Sequence, residues 1–173
     1  MRLVTSKHSH TRPSLDRTKE TLFNTLQSLA PIPEKVVDLF AGSGALGIEA
    51  WSRGAEEVIF VEKSPLACKY INKNLNKINK ASFGKIITKD VFDYLKSCVN
   101  ESISLVLADP PYGEPMANRV LQRIVVSRLI SPGGIFVLEK AKDDNLIIPG
   151  QLHLIKNKQC GNSQLLFFKM LEM

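Results

Sequence analysis

No apolar run in this chain approaches the roughly 18 residues that cross a bilayer, so a membrane span is not expected. The opening residues, MRLVTSKHSH, carry no apolar h-region, so a secretory signal is not expected either. Cysteine is scarce. Cys68, Cys98 and Cys160 form no CxxC pair and no metal-ligand spacing, and an odd, scattered count fits a reduced, cytoplasmic protein. The histidines complete no metal cluster: His8 and His10 lie in a polar lead, and His153 lies in an expected strand. No metal is expected. Glycine and proline, at 10 and 9 residues, exclude collagen-like and proline-rich architectures. What is present suits a globular domain: 173 residues, 44% hydrophobic and 23% charged. That length builds one full core. A single domain over residues 1–173 is expected, with 1–30 as a basic lead and first helix.

Positive charge is in excess, 23 Lys+Arg against 17 Asp+Glu, for a net charge of +6. Its placement says more than its size. Seven lysines and no acid lie between Lys63 and Lys89. The lead holds Arg2, Lys7, Arg12, Arg17 and Lys19 against Asp16 and Glu20. Localised positive charge suits a polyanion, and nucleic acid is the usual one. A solvated surface is the plain alternative.

Short β-type runs alternate with helical stretches, which predicts a doubly wound α/β fold on a mostly parallel sheet. Leu15, Leu22, Phe23, Leu26 and Leu29 share one face of a first helix, and Pro31 and Pro33 stop it. Strands are expected at 35–40, 57–62, 85–88, 103–109, 135–139, 152–158 and 164–169. Helices are expected from the glycine-rich segment to about residue 53, and over 65–79, 91–98 and 114–129. Gly161-Asn162 predicts a hairpin between the last two strands. The result is seven strands, the last two antiparallel to each other.

The segment Asp38–Gly47 (DLFAGSGALG) joins the first strand to a helix. Gly42 and Gly44 permit a tight turn and close backbone approach to a ligand, and Gly47 lets the helix pack near the strand. Glu62 ends the second strand, where a carboxylate can accept both ribose hydroxyls. This predicts an adenosine-containing ligand at the carboxyl ends of the strands. Gly42-x-Gly44-x-x-Gly47 also matches the dinucleotide fingerprint, but Asp38 would be unwelcome beside a pyrophosphate. S-adenosylmethionine, with its sulfonium, ammonium, ribose and adenine, suits Asp38, Glu62 and Asp90 together. Asp38 can cap the loop, a role compatible with binding, and Asp90 can instead cap the helix after it. Phe40, Lys63 and Val91 complete the expected cofactor set.

Asp109-Pro110-Pro111-Tyr112 follows an apolar strand. An acid at the end of a buried strand is costly unless it has partners. The two prolines stiffen the turn and remove two backbone donors. A planar amine can give one N–H to Asp109 and one to the Pro110 carbonyl, while Tyr112 stacks on its ring. That geometry holds the nitrogen in line with a methyl donor. A rigid turn is the alternative.

These residues resemble the class I S-adenosylmethionine-dependent methyltransferases with a D-P-P-Y amino-methylation motif. More closely, the chain is similar to the bacterial 16S ribosomal RNA guanine-N2 methyltransferases. The likeness runs from about Thr11 to Lys169. It rests on Arg12–Arg17 (RPSLDR) with Glu20 and Phe23-Asn24, on Asp38–Ala50, on Ser52-Arg53-Gly54-Ala55, on Glu62, and on Asp109–Tyr112. The resemblance implies methyl transfer to a guanine N2 of small-subunit ribosomal RNA, free or within an assembly intermediate, by a cytoplasmic monomer. It implies catalytic roles for Asp109, Pro110 and Tyr112, and RNA contacts for Arg12, Arg17 and Pro111. Arg17 can instead be a solvated helix charge. The family's longer basic lead is curtailed here, with only 11 residues before Arg12.

D-P-P-Y also serves adenine N6 and protein amides, so those substrates stay open. A nicotinamide-dependent oxidoreductase and a non-catalytic RNA-binding module are more distant readings. Lys69, Lys73 and Lys77 form a stripe expected to solubilise its helix, and Trp51 is expected in the core.

Overall fold

The computed structural model describes residues 12–79, 82–98 and 102–172, and of residues 12–15 and 114 only the backbone. In chain order these residues form α1 (Arg12–Leu29), β1 (Lys35–Leu39), α2 (Ala45–Ser52), β2 (Glu57–Glu62), α3 (Pro65–Lys77) and β3 (Gly84–Thr88). Then follow α4 (Val91–Ser97), β4 (Ile103–Ala108), α5 (Glu114–Ser127), β5 (Ile130–Ala141), β6 (Leu152–Cys160) and β7 (Ser163–Met170).

The strands make one sheet in the order β3-β2-β1-β4-β5-β7-β6. The chain winds outward from β1 to β3, then returns to place β4 beside β1. This reversal opens a crevice at the carboxyl ends of β1 and β4. β7 runs against both β5 and β6. β6 therefore points the same way as the first five strands, and β7 alone opposes them. The expected hairpin is present, folded so that its second strand meets β5.

Continuous apolar runs explain the middle of the sheet. Val106 and Leu107 in β4 and Val36 and Val37 in β1 have no exposed surface. Strands covered on both faces must be apolar at successive positions. One face is covered by Leu22, Phe23 and Leu26 of α1, Ile48 and Ala50 of α2, and Ile71 and Leu75 of α3. The other is covered by Val91 and Leu95 of α4 and Val120, Leu121 and Ile124 of α5. Each large side chain buried this way contributes about 1.5–3 kcal/mol. Trp51 packs against the first of these cores, as expected. Leu29 differs from expectation. It is the last residue of α1 and stays 39% exposed.

Local chemistry sets the helix starts. Ser64 accepts the Ala67 N–H and Pro65 follows it, so α3 begins there. Asp90 accepts the Phe92 N–H at 2.8 Å and starts α4. Gly47 is required by packing, since a Cβ there would lie 2.3 Å from a Phe60 ring carbon. Arg53 pins α1 to α2: its guanidinium donates to Glu49, Asn24 and Gln27 and lies 5.5 Å from the Phe23 ring centre.

β5 begins earlier than the sequence pattern implies. Ile130 already pairs with Ile103, and Ile135 with Leu105. The two pairs lie five residues apart on β5 and only two apart on β4, so Pro132-Gly133-Gly134 is a bulge inside the strand and not a lead before it. The Ser131 hydroxyl closes it by donating to the Ile103 carbonyl.

Candidate active site

Phe40 is the first residue past β1 and sits at φ 59°, a left-handed conformation that costs a bulky side chain energy. The strained turn aims the loop back over the sheet, and Gly42 and Gly44 continue it at φ 55° and 83°. Buried Asn74 of α3 clasps the turn by donating to the Ser43 carbonyl at 3.0 Å.

Two acids hold this loop from below. Glu62 Oε2 accepts the Gly42 N–H at 2.9 Å, and its Oε1 accepts the Ser64 N–H at 2.8 Å. Asp38 Oδ2 accepts the Gly47 N–H at 2.9 Å. Asp38 is 1% exposed, and burial pushes its carboxyl up to about 7, against the pull of the Gly47 N–H.

A cavity of about 400 Å³ opens beside the loop, within the range of small-molecule sites. Its walls include Phe40, Glu62, Lys63, Asp90, Val91, Asp109, Pro110, Pro111 and Tyr112 from the sequence-derived set. Asp38, Gly42 and Gly44 are not among its walls; the glycines build the loop, and Asp38 holds it from β1. Gly44 faces inward, where a Cβ would lie 3.2 Å from Phe60 and 3.3 Å from Ile71. Its need for glycine is therefore conformational and steric rather than a matter of ligand approach. Gly42 is open: a Cβ there would meet only the Phe40 carbonyl oxygen, at 4.0 Å. Arg17 is exposed on α1 and lies outside the cavity walls. The Arg12 side chain lies outside the described residues. Lys69, Lys73 and Lys77 are exposed on α3 and do not line the cavity.

Asp109 follows β4 at the far side of the cavity. Burial, then the negative charges of Glu139 and Asp38, push its carboxyl up to about 7. No donor among the described residues satisfies it. Tyr112 is 67% exposed, so its ring is available to a planar partner.

Glu139 was not anticipated from sequence. It ends the apolar stretch of β5 and is 7% exposed. The Tyr112 hydroxyl is 3.5 Å from its Oε1, at the outer limit of a hydrogen bond. Burial raises the Glu139 carboxyl, and the Ser163 and Tyr112 hydroxyls oppose that shift. The same signal that marked Asp109, an acid closing an apolar strand, was present for Glu139. Phe92 and Met116 also line the cavity unannounced. Phe92 meets Phe40 edge-on at 6.2 Å and carries Arg119 over its ring at 3.7 Å. Among the described residues no group of three or more His, Cys, Asp or Glu can hold a metal ion. Among them, too, no helix is long and apolar enough to cross a membrane.

The model of the family described as Conserved hypothetical protein 95 matches residues 1–169. The chain belongs to this family. Ribosomal RNA small subunit methyltransferase D of Haemophilus influenzae is 35% identical to it over 152 residues, which are 87% of this chain and 78% of that protein. The structure of a hypothetical protein from Thermus thermophilus matches with a TM-score of 0.81 at 27% identity, covering 98% of this chain and 94% of that one. An RNA methyltransferase of Salinibacter ruber, solved with S-adenosyl-L-homocysteine, matches with a TM-score of 0.68 over 95% of this chain and 94% of its own. At 17% identity that likeness concerns the fold. The architecture of this family member is that of the class I S-adenosylmethionine-dependent methyltransferases, and methyl transfer is its activity.

Proposed function

We propose that the protein methylates the exocyclic N2 amine of a guanine in small-subunit ribosomal RNA, with S-adenosylmethionine as donor. The observation that carries this reading is the Asp109–Tyr112 turn facing Glu62 and Asp90 across one cavity. The relative named as a ribosomal RNA small subunit methyltransferase supports the choice of RNA.

The residues present fit the cofactor. Each Glu62 oxygen has accepted one backbone N–H and keeps acceptor capacity for a ribose hydroxyl. Asp90 lines the cavity and keeps a second oxygen, beside its helix-capping one, for an adenine amino group. Phe40, Val91 and Phe92 offer an apolar wall for the base. Asp38 serves by holding the loop. Bound S-adenosylmethionine supplies an activated methyl group on a cationic sulfonium.

The chain's own residues do the rest. Asp109 and the Pro110 carbonyl accept the two N–H bonds of the amine and fix its nitrogen. Tyr112 stacks on the guanine once it leaves the RNA stack. The nitrogen gains a methyl and sheds a proton, and the Asp109 carboxylate is placed to receive it. The protein acts as a cytoplasmic monomer on free RNA or on an assembly intermediate, with Arg12, Arg17 and Pro111 on the RNA side.

The test is transfer of labelled methyl to small-subunit ribosomal RNA lacking its natural modifications, followed by digestion to nucleosides. N2-methylguanosine is expected. Label in N6-methyladenosine, or in protein alone, would overturn the guanine reading.

A further inference from the structure

A second concavity lies between α1 and the edge strand β6. It measures about 370 Å³ and is lined by Thr21, Asn24, Thr25, Ser28, Lys156 and Lys158. The four α1 residues are spaced i, i+3, i+4, i+7, so they form one polar stripe along the helix. Lys156 and Lys158 pair with Phe167 and Leu165, whose side chains pack on the α1 side of the sheet. Both lysines therefore face that same side. Both are exposed, and among the described residues neither forms an ion pair. The Thr25 and Ser28 hydroxyls donate to the Thr21 and Thr25 carbonyls, and the Asn24 amide oxygen accepts from Arg53. What the groove offers a row of phosphates is therefore the Asn24 amide N–H groups and two unneutralised ammonium groups.

A chain of side chains links the groove to the catalytic cavity, with which it shares no wall. The Tyr112 hydroxyl approaches Glu139. The Ser163 hydroxyl sits between the Glu139 carboxylate and the Cys160 carbonyl, 3.2 Å from the latter. Thr18 and Thr21 of α1 lie beside the Cys160 thiol, and Thr21 also lines the groove. One layer of side chains thus separates the base platform from the groove.

We propose that the α1–β6 groove binds the sugar–phosphate backbone flanking the target nucleotide, with Lys156 and Lys158 each neutralising one phosphate. The inference rests on the RNA reading above. It adds a contact on the last hairpin to the α1 side of the RNA. Lysines on an open strand edge also discourage edge-to-edge pairing with another chain. The test separates these two roles.

The probe is an in-vitro transcript of small-subunit ribosomal RNA, titrated with full-length protein over a range of salt. The comparison is wild type, Lys156→Ala/Lys158→Ala, Lys156→Arg/Lys158→Arg, and Lys73→Ala/Lys77→Ala on α3. Loss of two phosphate contacts should flatten the slope of log affinity against log salt by about 1.5 and weaken binding about tenfold near 0.15 M salt. The arginine variant should restore both. The α3 variant, which removes the same charge elsewhere, should change the slope by less than half as much. Methyl transfer should show a raised KM for RNA with kcat retained, and S-adenosyl-L-homocysteine binding should be unchanged in every variant. An unaltered slope in Lys156→Ala/Lys158→Ala overturns the groove assignment while wild type still binds and methylates the RNA. Unaltered RNA affinity with new self-association of that variant assigns the lysines to edge protection and overturns it equally. A wild-type protein that neither binds nor methylates RNA overturns the functional reading, and this one with it.

Discussion

At the cofactor end of the cavity, the carboxylates are already partnered: both Glu62 oxygens accept backbone N–H groups, and Asp90 accepts another. At the amine end, Asp109 has burial and two neighbouring negative charges but no donor among the described residues. The first arrangement is fixed before any ligand arrives, and it costs little to keep. The second leaves a raised acid facing the open cavity, ready to accept from an incoming donor. Asp109 lines the open cavity, so an incoming amine finds an acceptor that no protein donor competes for. Rigid acceptors suit recognition of a cofactor, and an unsatisfied one suits the reacting atom.

The difference can be broken open by mutation. Asp109→Ala should lose about 10²–10³ in single-turnover methyl transfer at saturating cofactor, the scale of one preorganised polar contact. Its affinity for S-adenosyl-L-homocysteine, measured by calorimetry, should match wild type. Wild-type turnover would reduce Asp109–Tyr112 to a turn. Glu62→Ala should do the reverse. Cofactor binding should weaken by about 1.5–3 kcal/mol, with turnover largely recovered at saturating cofactor. Equal affinity of variant and wild type would remove Glu62 from the cofactor end.

Stability against pH sharpens the contrast. A carboxyl raised from about 4 to about 7 on folding supports the folded state below pH 4 and loses that support as pH rises through 7. Asp109→Asn, which cannot ionise, should therefore be more stable than wild type at pH 8 by roughly 1–3 kcal/mol in urea unfolding. At pH 4 the two should coincide. A variant less stable at pH 8 would mean that the charge is satisfied in the folded protein. The smallest effect is expected at Glu139→Gln, which keeps an acceptor for Tyr112 but removes a negative charge near Asp109. The acidic limb of the rate profile should move to lower pH by roughly half to one unit. A limb that stays in place would uncouple the two acids.

The fold was largely legible because its signals are local. Apolar runs closed by Glu62 and Asp109 predict buried parallel strands, and Ser64-Pro65 predicts a helix start. The bulge at Pro132–Gly134 was not legible, because pairing of Ile130 with Ile103 depends on a neighbouring strand that no local pattern names. In the site, the cavity gathers most of the expected residues, since each closes a strand at the same edge of the sheet. Gly44 reads as a ligand-side glycine in sequence, yet the close approach of Phe60 and Ile71 is what demands it. Asp38 could be read as a loop cap that is also compatible with ligand binding, and its bond to Gly47 supplies the capping part. Glu139 was passed over because no motif surrounds it. Its role comes from the register that sets β5 beside β4.

The most direct test of a raised acid at the amine end is a carbon-13 titration of the aspartate carboxyls in the free protein. Two resonances should titrate near 7, those of Asp38 and Asp109, and one of them should vanish in Asp109→Asn. A substrate-free protein in which the Asp109 resonance titrates near 4, the ordinary aspartate range, would contradict the account.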